Sequence, residues 1–295
     1  METIKTSFLA FNFLLLLVVA DLRVGFYNAT CPQAESIKRQ VVQRWFATDS
    51  SITGGLLRVH FHDCFVRHSS KEKKRKLIST STINQCTLYV LQGCDASILV
   101  DSTKKKSSEK SAGPNLIVRV YELIDEIKKS LEAACPSIVS SADIVTLATR
   151  DSVVLAGGPR YAAPTDAVTG WYQTQTSVSG IAIFHCQRVT LNAMVTLLGA
   201  HTYLLIPQDP ALVSKLSILC VASKNPSTFL DQNTSSTFDN QFYNQILSRR
   251  GFLQIDQELA SDTSTVGIVS GFASNSLRFS QSFATAMLGA GWKCC

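Results

Sequence analysis

Charge is scarce in this chain. Only 17% of its 295 residues are charged, against 45% hydrophobic, and that balance excludes an intrinsically disordered protein. The net charge is also concentrated. Between Arg67 and Leu91, Arg67, Lys71, Lys73, Lys74, Arg75 and Lys76 face Glu72 alone, which is +5 of the formal +6. The rest is close to +1, so a nucleic-acid partner would depend on one segment that reads as a solvated loop. Beyond residue 20 no apolar run is long enough to span a bilayer. Strand signals are few, and no internal repeat is present.

What is present begins with a leader. Lys5 precedes an apolar run from Phe8 to Ala20 that ends in Val18, Val19 and Ala20. This is the pattern of a secretory signal, with cleavage expected near Ala20/Asp21. In a secreted chain the nine cysteines read as a disulfide set with at least one odd thiol. The sequons Asn28-Ala29-Thr30 and Asn233-Thr234-Ser235 become glycosylation sites in that setting.

Apolar residues recur mostly at helical spacing. Helices are expected over Pro32 to Ala47, over the run carrying Arg58 and His62, over Asn115 to Ala134, over Ser141 to Ala156 with Ser141 as cap, over Leu191 to Gly199, over Phe238 to Arg249 and over Ser276 to Leu288. Gly158 to Gly180 marks a boundary between two lobes, with His62 in one and His201 in the other. A cofactor held between the lobes follows from that placement.

The run Leu56-Leu57-Arg58-Val59-His60-Phe61-His62-Asp63-Cys64-Phe65-Val66 carries the chemistry. Arg58 and His62 are four residues apart, so on a helix they share a face. A cation beside an imidazole suits a site where a proton leaves one atom while negative charge develops on the next. Splitting a peroxide O–O bond is such a reaction. Taken alone, His62 and His201 each read as core histidines. His60 points off the Arg58/His62 face. His60 and His62 with Asp63 would be a zinc ligand pair only if further ligands lay close by, and none do in the sequence.

Taken in order, the stretches from Arg58 to Val66, Gly93 to Leu99, Glu109 to Asn115, Ser141 to Ile144, Arg150 to Val153, Gly199 to Thr202 and Phe238 to Asn240 resemble the secreted plant (class III) haem peroxidases. The resemblance implies a mainly α, haem-peroxidase fold. Two helical lobes would sandwich the haem, the distal one over residues 21–164 and the proximal one over 165–295. It implies an enzyme that reduces hydrogen peroxide and oxidises small phenolic donors in one-electron steps, working as a secreted monomer in the cell wall, apoplast or vacuole.

The same resemblance implies the roles of particular residues. His62 is the distal base, Arg58 stabilises developing charge, and Asn115 accepts a hydrogen bond from His62. Phe61 packs over the haem edge. His201 is the axial ligand of haem b, with Asp256 hydrogen-bonded behind it. Pro164 contacts the reducing substrate. One calcium ion is held by Asp63, Asp95 and Ser97 with the backbone of Val66 and Gly93. A second is held by Thr202, Asp231, Thr234 and Asp239 with the backbone of Thr237. Cys31–Cys135 and Cys64–Cys94 are the disulfides implied. The pairing of Cys186, Cys220, Cys294 and Cys295 stays open.

Four departures from the family pattern stand out. A basic insert, residues 67–92, separates Val66 from Gly93; its composition is unlike its surroundings, and it is read as a retained intron or gene-model read-through. Opening the Cys64–Cys94 ring about sixfold costs only ~1.5 kcal/mol of closure entropy, provided the ends still meet. The stretch from Asp166 to Arg188 is unfamiliar, the chain after Thr202 is short, and the last segment stops at Cys295. These departures define the alternative: a catalytically impaired or haem-free peroxidase-like protein arising from an aberrant transcript.

Overall fold

The computed structural model describes residues 23–65, 94–104, 108–116, 118–165, 190–199, 214, 218, 231, 233–251 and 253–289. The expected leader, the basic insert and the stretch from Asp166 to Arg188 lie outside them. Helices α1 (Ala34–Thr48), α2 (Ile52–Phe65), α3 (Tyr121–Ala134) and α4 (Ser141–Leu155) come first. Helices α5 (Leu191–Leu198), α6 (Gln241–Leu247), α7 (Gln254–Leu259), α8 (Val266–Ser274) and α9 (Ser276–Gly289) follow. No strand runs through the described residues. An isolated antiparallel bridge joins Arg23 to Thr165. No helix among the described residues is long and apolar enough to cross a membrane.

The first four helices close on one core. Val41 and Val42 of α1, Ile52, Leu56 and Val59 of α2, Leu123, Ile124, Ile127 and Leu131 of α3, and Ile144, Val145 and Ala148 of α4 are all buried there. Full burial of each such aliphatic side chain contributes roughly 1.5–3 kcal/mol. The Cys31–Cys135 disulfide, 104 residues apart in sequence, ties the approach to α1 to the end of α3. A second core joins Met194, Val195 and Leu198 of α5 to Phe242, Tyr243, Val269, Phe272, Phe279 and Phe283. Helix α2 lies between the two. Its Leu56 and Val59 enter the first core, and its Cys64, Leu57 and Phe61 pack on the second.

Three boundaries differ from the sequence-based expectation. Helix α3 begins at Tyr121, not Asn115. Leu116, counted on its apolar face, is 70% exposed, and Asn115 closes a 3₁₀ turn, Gly113–Asn115, instead. The chain enters α3 through Val120 at φ 71°, a left-handed conformation that interrupts any helix reaching back to Asn115. The cap of α4 is Ser140 rather than Ser141, because the Ser140 hydroxyl accepts the backbone N–H of Asp143 at 3.1 Å. Helix α6 starts at Gln241, three residues after Phe238, which stacks on Phe279 with ring centroids 5.3 Å apart.

Candidate active site

Helix α2 puts Arg58 and His62 on one face, as their spacing predicts. His62 is buried, and Arg58 is half-buried one turn before it. The His62 ring lies edge-on to Phe61, with centroids 6.0 Å apart. Phe61 packs on the second core.

The position of Asn115 matters most. Its Oδ1 lies 2.7 Å from His62 Nδ1, and its Nδ2 donates to the Glu109 carbonyl at 2.8 Å. The second bond fixes which way the amide faces. An amide oxygen only accepts, so Nδ1 of His62 carries the proton and Nε2 keeps its lone pair. Asn115 is 1% exposed. Its backbone N–H donates to Ala112 at 2.8 Å, and its carbonyl accepts from Val118 at 3.0 Å. The tight turn therefore holds the amide as rigidly as a helix would.

Asp63 follows His62 and does different work. Its Oδ2 accepts the N–H of Ala96 at 2.9 Å, and its Oδ1 accepts that of Ile98 at 3.4 Å. Its own carbonyl accepts from Cys94 at 3.1 Å, and the Cys64–Cys94 disulfide is closed. Asp63 and Cys64 thus meet Cys94 across the 30-residue separation. Ser97 Oγ lies 2.6 Å from Asp95 Oδ1 and 2.7 Å from Glu109 Oε2. Burial, then the charges of Asp95 and Glu109, push the Asp63 carboxyl up to about 7, although the two N–H bonds work the other way. Clustered hard oxygens with surplus negative charge suit a Ca²⁺ ion. Among the described residues no group of three His, Cys, Asp or Glu side chains is gathered for a metal. Val66 and Gly93, expected to complete the set from the backbone, lie outside the described residues.

On the proximal side His201 and Thr202 likewise lie outside the described residues. Helix α5, which leads toward them, is well anchored. The Tyr243 hydroxyl donates to the carbonyls of Val195 and Thr196, at 3.1 and 3.3 Å. That hydroxyl stands where a side chain at Gly199 would begin, 2.2 Å from a Cβ built there. Only glycine fits at 199. Asp256 is fully buried on α7. Asp231 Oδ1 accepts the N–H groups of Asn233 and Thr234 at 2.8 and 3.0 Å, and its Oδ2 accepts Thr234 Oγ1 at 2.7 Å. Asp239 accepts the N–H of Gln241 at 2.9 Å, and Thr237 is exposed. Asp231 and Thr234 are therefore brought together, while Asp239 caps the start of α6. Pro164 is half-buried beside the Arg23–Thr165 bridge.

His60 is buried on the other side of α2, its Nε2 3.4 Å from Thr146 Oγ1. Burial lowers its pKa to about 3, so it stays neutral as a packing residue. Glu109 was not singled out from the sequence as a site residue. Its carbonyl orients Asn115 and its carboxylate reaches Ser97, which links the base to the acidic cluster. The one available signal was its place six residues before Asn115 in a shared motif.

The family model described as Peroxidase matches residues 38–275. Peroxidase 44 of Arabidopsis thaliana is 44% identical, with 99% of this chain and 93% of that protein aligned. Peroxidase 57 of the same plant is 43% identical over 97% of this chain and 91% of its own length. Peroxidase 28 is 40% identical, with 95% and 92% covered. With a family match over residues 38–275 and identity of this order along nearly the whole chain, the protein belongs to the peroxidase family, among its plant members.

Proposed function

We propose that the chain is a haem-dependent peroxidase that reduces hydrogen peroxide and then oxidises phenolic donors by one-electron steps. The observation that carries this reading is the His62–Asn115–Glu109 chain of hydrogen bonds, which leaves His62 Nε2 as a proton acceptor. Nε2 takes the proton from peroxide and returns it to the leaving oxygen, so water departs. Positioned acid–base catalysis of this kind contributes ~10²–10⁴-fold. Arg58, on the same face, stabilises the negative charge that develops as the bond breaks. Haem, when bound, supplies the iron that receives the peroxide and stores its oxidising equivalents.

His201 is the residue assigned to hold the iron, with the buried carboxylate of Asp256 behind it. Pro164 is assigned to the donor's approach. Calcium is assigned to Asp63, Asp95 and Ser97 with the backbone of Val66 and Gly93. A second ion falls to Thr202, Asp231, Thr234 and Asp239 with the backbone of Thr237. The leader, the disulfides and the exposed sequon residues Asn28 and Asn233 support secretion and glycosylation. The lobes divide near residue 165, and the chain works as a monomer.

The purified chain should show a Soret band and turn over guaiacol with hydrogen peroxide. His201→Ala should abolish the five-coordinate haem spectrum. His62→Ala should keep haem but slow the reaction with peroxide. A protein that takes up no haem, or a His62→Ala variant as fast as the parent, sinks the assignment.

A further inference from the structure

A pocket lies on the far side of α4. Thr149 and Ser152 of α4 face α2: Thr149 Oγ1 donates to the Leu56 carbonyl at 3.2 Å, and Thr53 Oγ1 donates to the Ser152 carbonyl at 3.1 Å. Arg150, Asp151 and Val154 fall on the opposite face. There, with α1 and the chain that follows α4, they line a half-open pocket of about 310 Å³.

Its charge is unbalanced. Lys38 Nζ lies 2.8 Å from Glu35 and 2.9 Å from Asp151. Arg150 Nη2 lies 2.6 Å from Glu35 and 2.8 Å from Asp151. Two carboxylates are thus matched by two cations. Arg39, whose Nε is 3.8 Å from Asp151, and Arg160 also line the cavity, so it carries surplus positive charge. The rest of the lining is Gln43 and an apolar wall made by Val154, Leu155 and the ring of Tyr161. The Tyr161 hydroxyl is buried with no hydrogen-bond partner among the described residues. Burial holds that phenol protonated well above neutral pH, so it has a hydrogen to donate.

We propose that this cavity binds a small aromatic carboxylate. The carboxylate pairs with Arg39 and Arg160, and the ring lies along Val154, Leu155 and Tyr161. The Arg150 guanidinium, held flat by Glu35 and Asp151, offers a stacking plane. The volume sits at the lower end of small-molecule sites and fits a single-ring acid. An inorganic anion would leave the apolar wall wet. The site is separate from the His62 face and does not depend on the peroxidase reading.

The test is calorimetric titration of the full chain, as purified, with trans-cinnamate, which has no phenol to be oxidised. Arg39→Gln with Arg160→Gln should weaken binding about tenfold, while Arg39→Lys with Arg160→Lys restores most of it. Guaiacol turnover should be unchanged in both. Neutral cinnamyl alcohol should bind far more weakly than cinnamate. Equal affinity in the Gln variant, equal affinity for the alcohol, or no heat from cinnamate overturns the proposal.

Discussion

Two regions of this protein are held by different forces. Around α2 and the turn at Asn115, position is set by hydrogen bonds: Asn115 to His62, Glu109 to Asn115, Asp63 to Ala96 and Ile98. Around α6, α8 and α9, aromatic rings pack against each other. Phe238, Tyr243, Phe272, Phe279 and Phe283 have neighbouring centroids 4.6–6.2 Å apart. Hydrogen bonds are directional and fail when one partner is lost, whereas packing is diffuse and fails in proportion to the volume removed. The polar side should therefore govern rate, and the aromatic side stability.

The largest effect expected is on rate. His62→Ala removes the base and should slow the reaction with peroxide by ~10²–10⁴-fold, read by stopped flow, with little change in unfolding midpoint. Asn115→Val should retain part of that rate, since the imidazole survives but its tautomer is no longer fixed. The aromatic side should respond the other way. Phe279 is 1% exposed, and Phe279→Ala should cost ~3–5 kcal/mol in urea unfolding while the folded fraction reacts at an unchanged rate. If the Phe279 variant loses rate per folded molecule as steeply as His62→Ala, the division between the two regions fails.

That division was only partly legible in the sequence. The helices with a long apolar stripe, α1, α4 and α9, follow from spacing, and so does the shared face of Arg58 and His62. Helix α7 is six residues long and mostly polar, so periodicity has too few turns to show. Helix α8 carries Gly267, Gly271 and β-branched residues, which intrinsic preference counts against a helix. The turn at Asn115 was misread because Leu116, Val120, Leu123 and Ile127 keep helical spacing through it; only the left-handed backbone at Val120 breaks the pattern. Asn115 and His62 are 53 residues apart, and no local spacing joins them. Their pairing came from the family resemblance. Glu109 orients Asn115 through a backbone carbonyl, which has no side-chain signature at all.

Acid should expose the polar side next. His60 is buried, and its pKa falls to about 3 in the folded protein, against an ordinary 6.5. Between those values the unfolded chain binds the proton and the folded chain does not, so stability falls as pH drops from 6.5 toward 3 and is fully present above 6.5. Glu35 adds a decline at lower pH. Its burial favours the neutral acid, but the hydrogen bond from Arg150 and the Lys38 charge outweigh it and hold the carboxyl near 2. Unfolding free energies at pH 7 and pH 5 should therefore differ more in the parent than in His60→Gln. Equal differences would mean that His60 does not titrate on unfolding.

The smallest effect separates strain from packing within the polar side. Val120 is buried at φ 71°, and its methyls lie 2.9 and 3.2 Å from where a Cβ on Gly55 would stand. A left-handed residue with a side chain costs roughly 1–2 kcal/mol, while burial of valine returns about 1.5–3 kcal/mol. Val120→Gly loses the burial and gains the relief, so the two largely offset and the loss of stability should be at most about 2 kcal/mol. Val120→Ala loses most of the burial and keeps the strain. In a helix interior alanine is favoured over glycine by about 0.5–1 kcal/mol; at position 120 the order should invert, glycine giving the higher urea midpoint. Alanine above glycine would show that the left-handed turn beneath Asn115 carries no strain, and that packing alone sets this corner of the site.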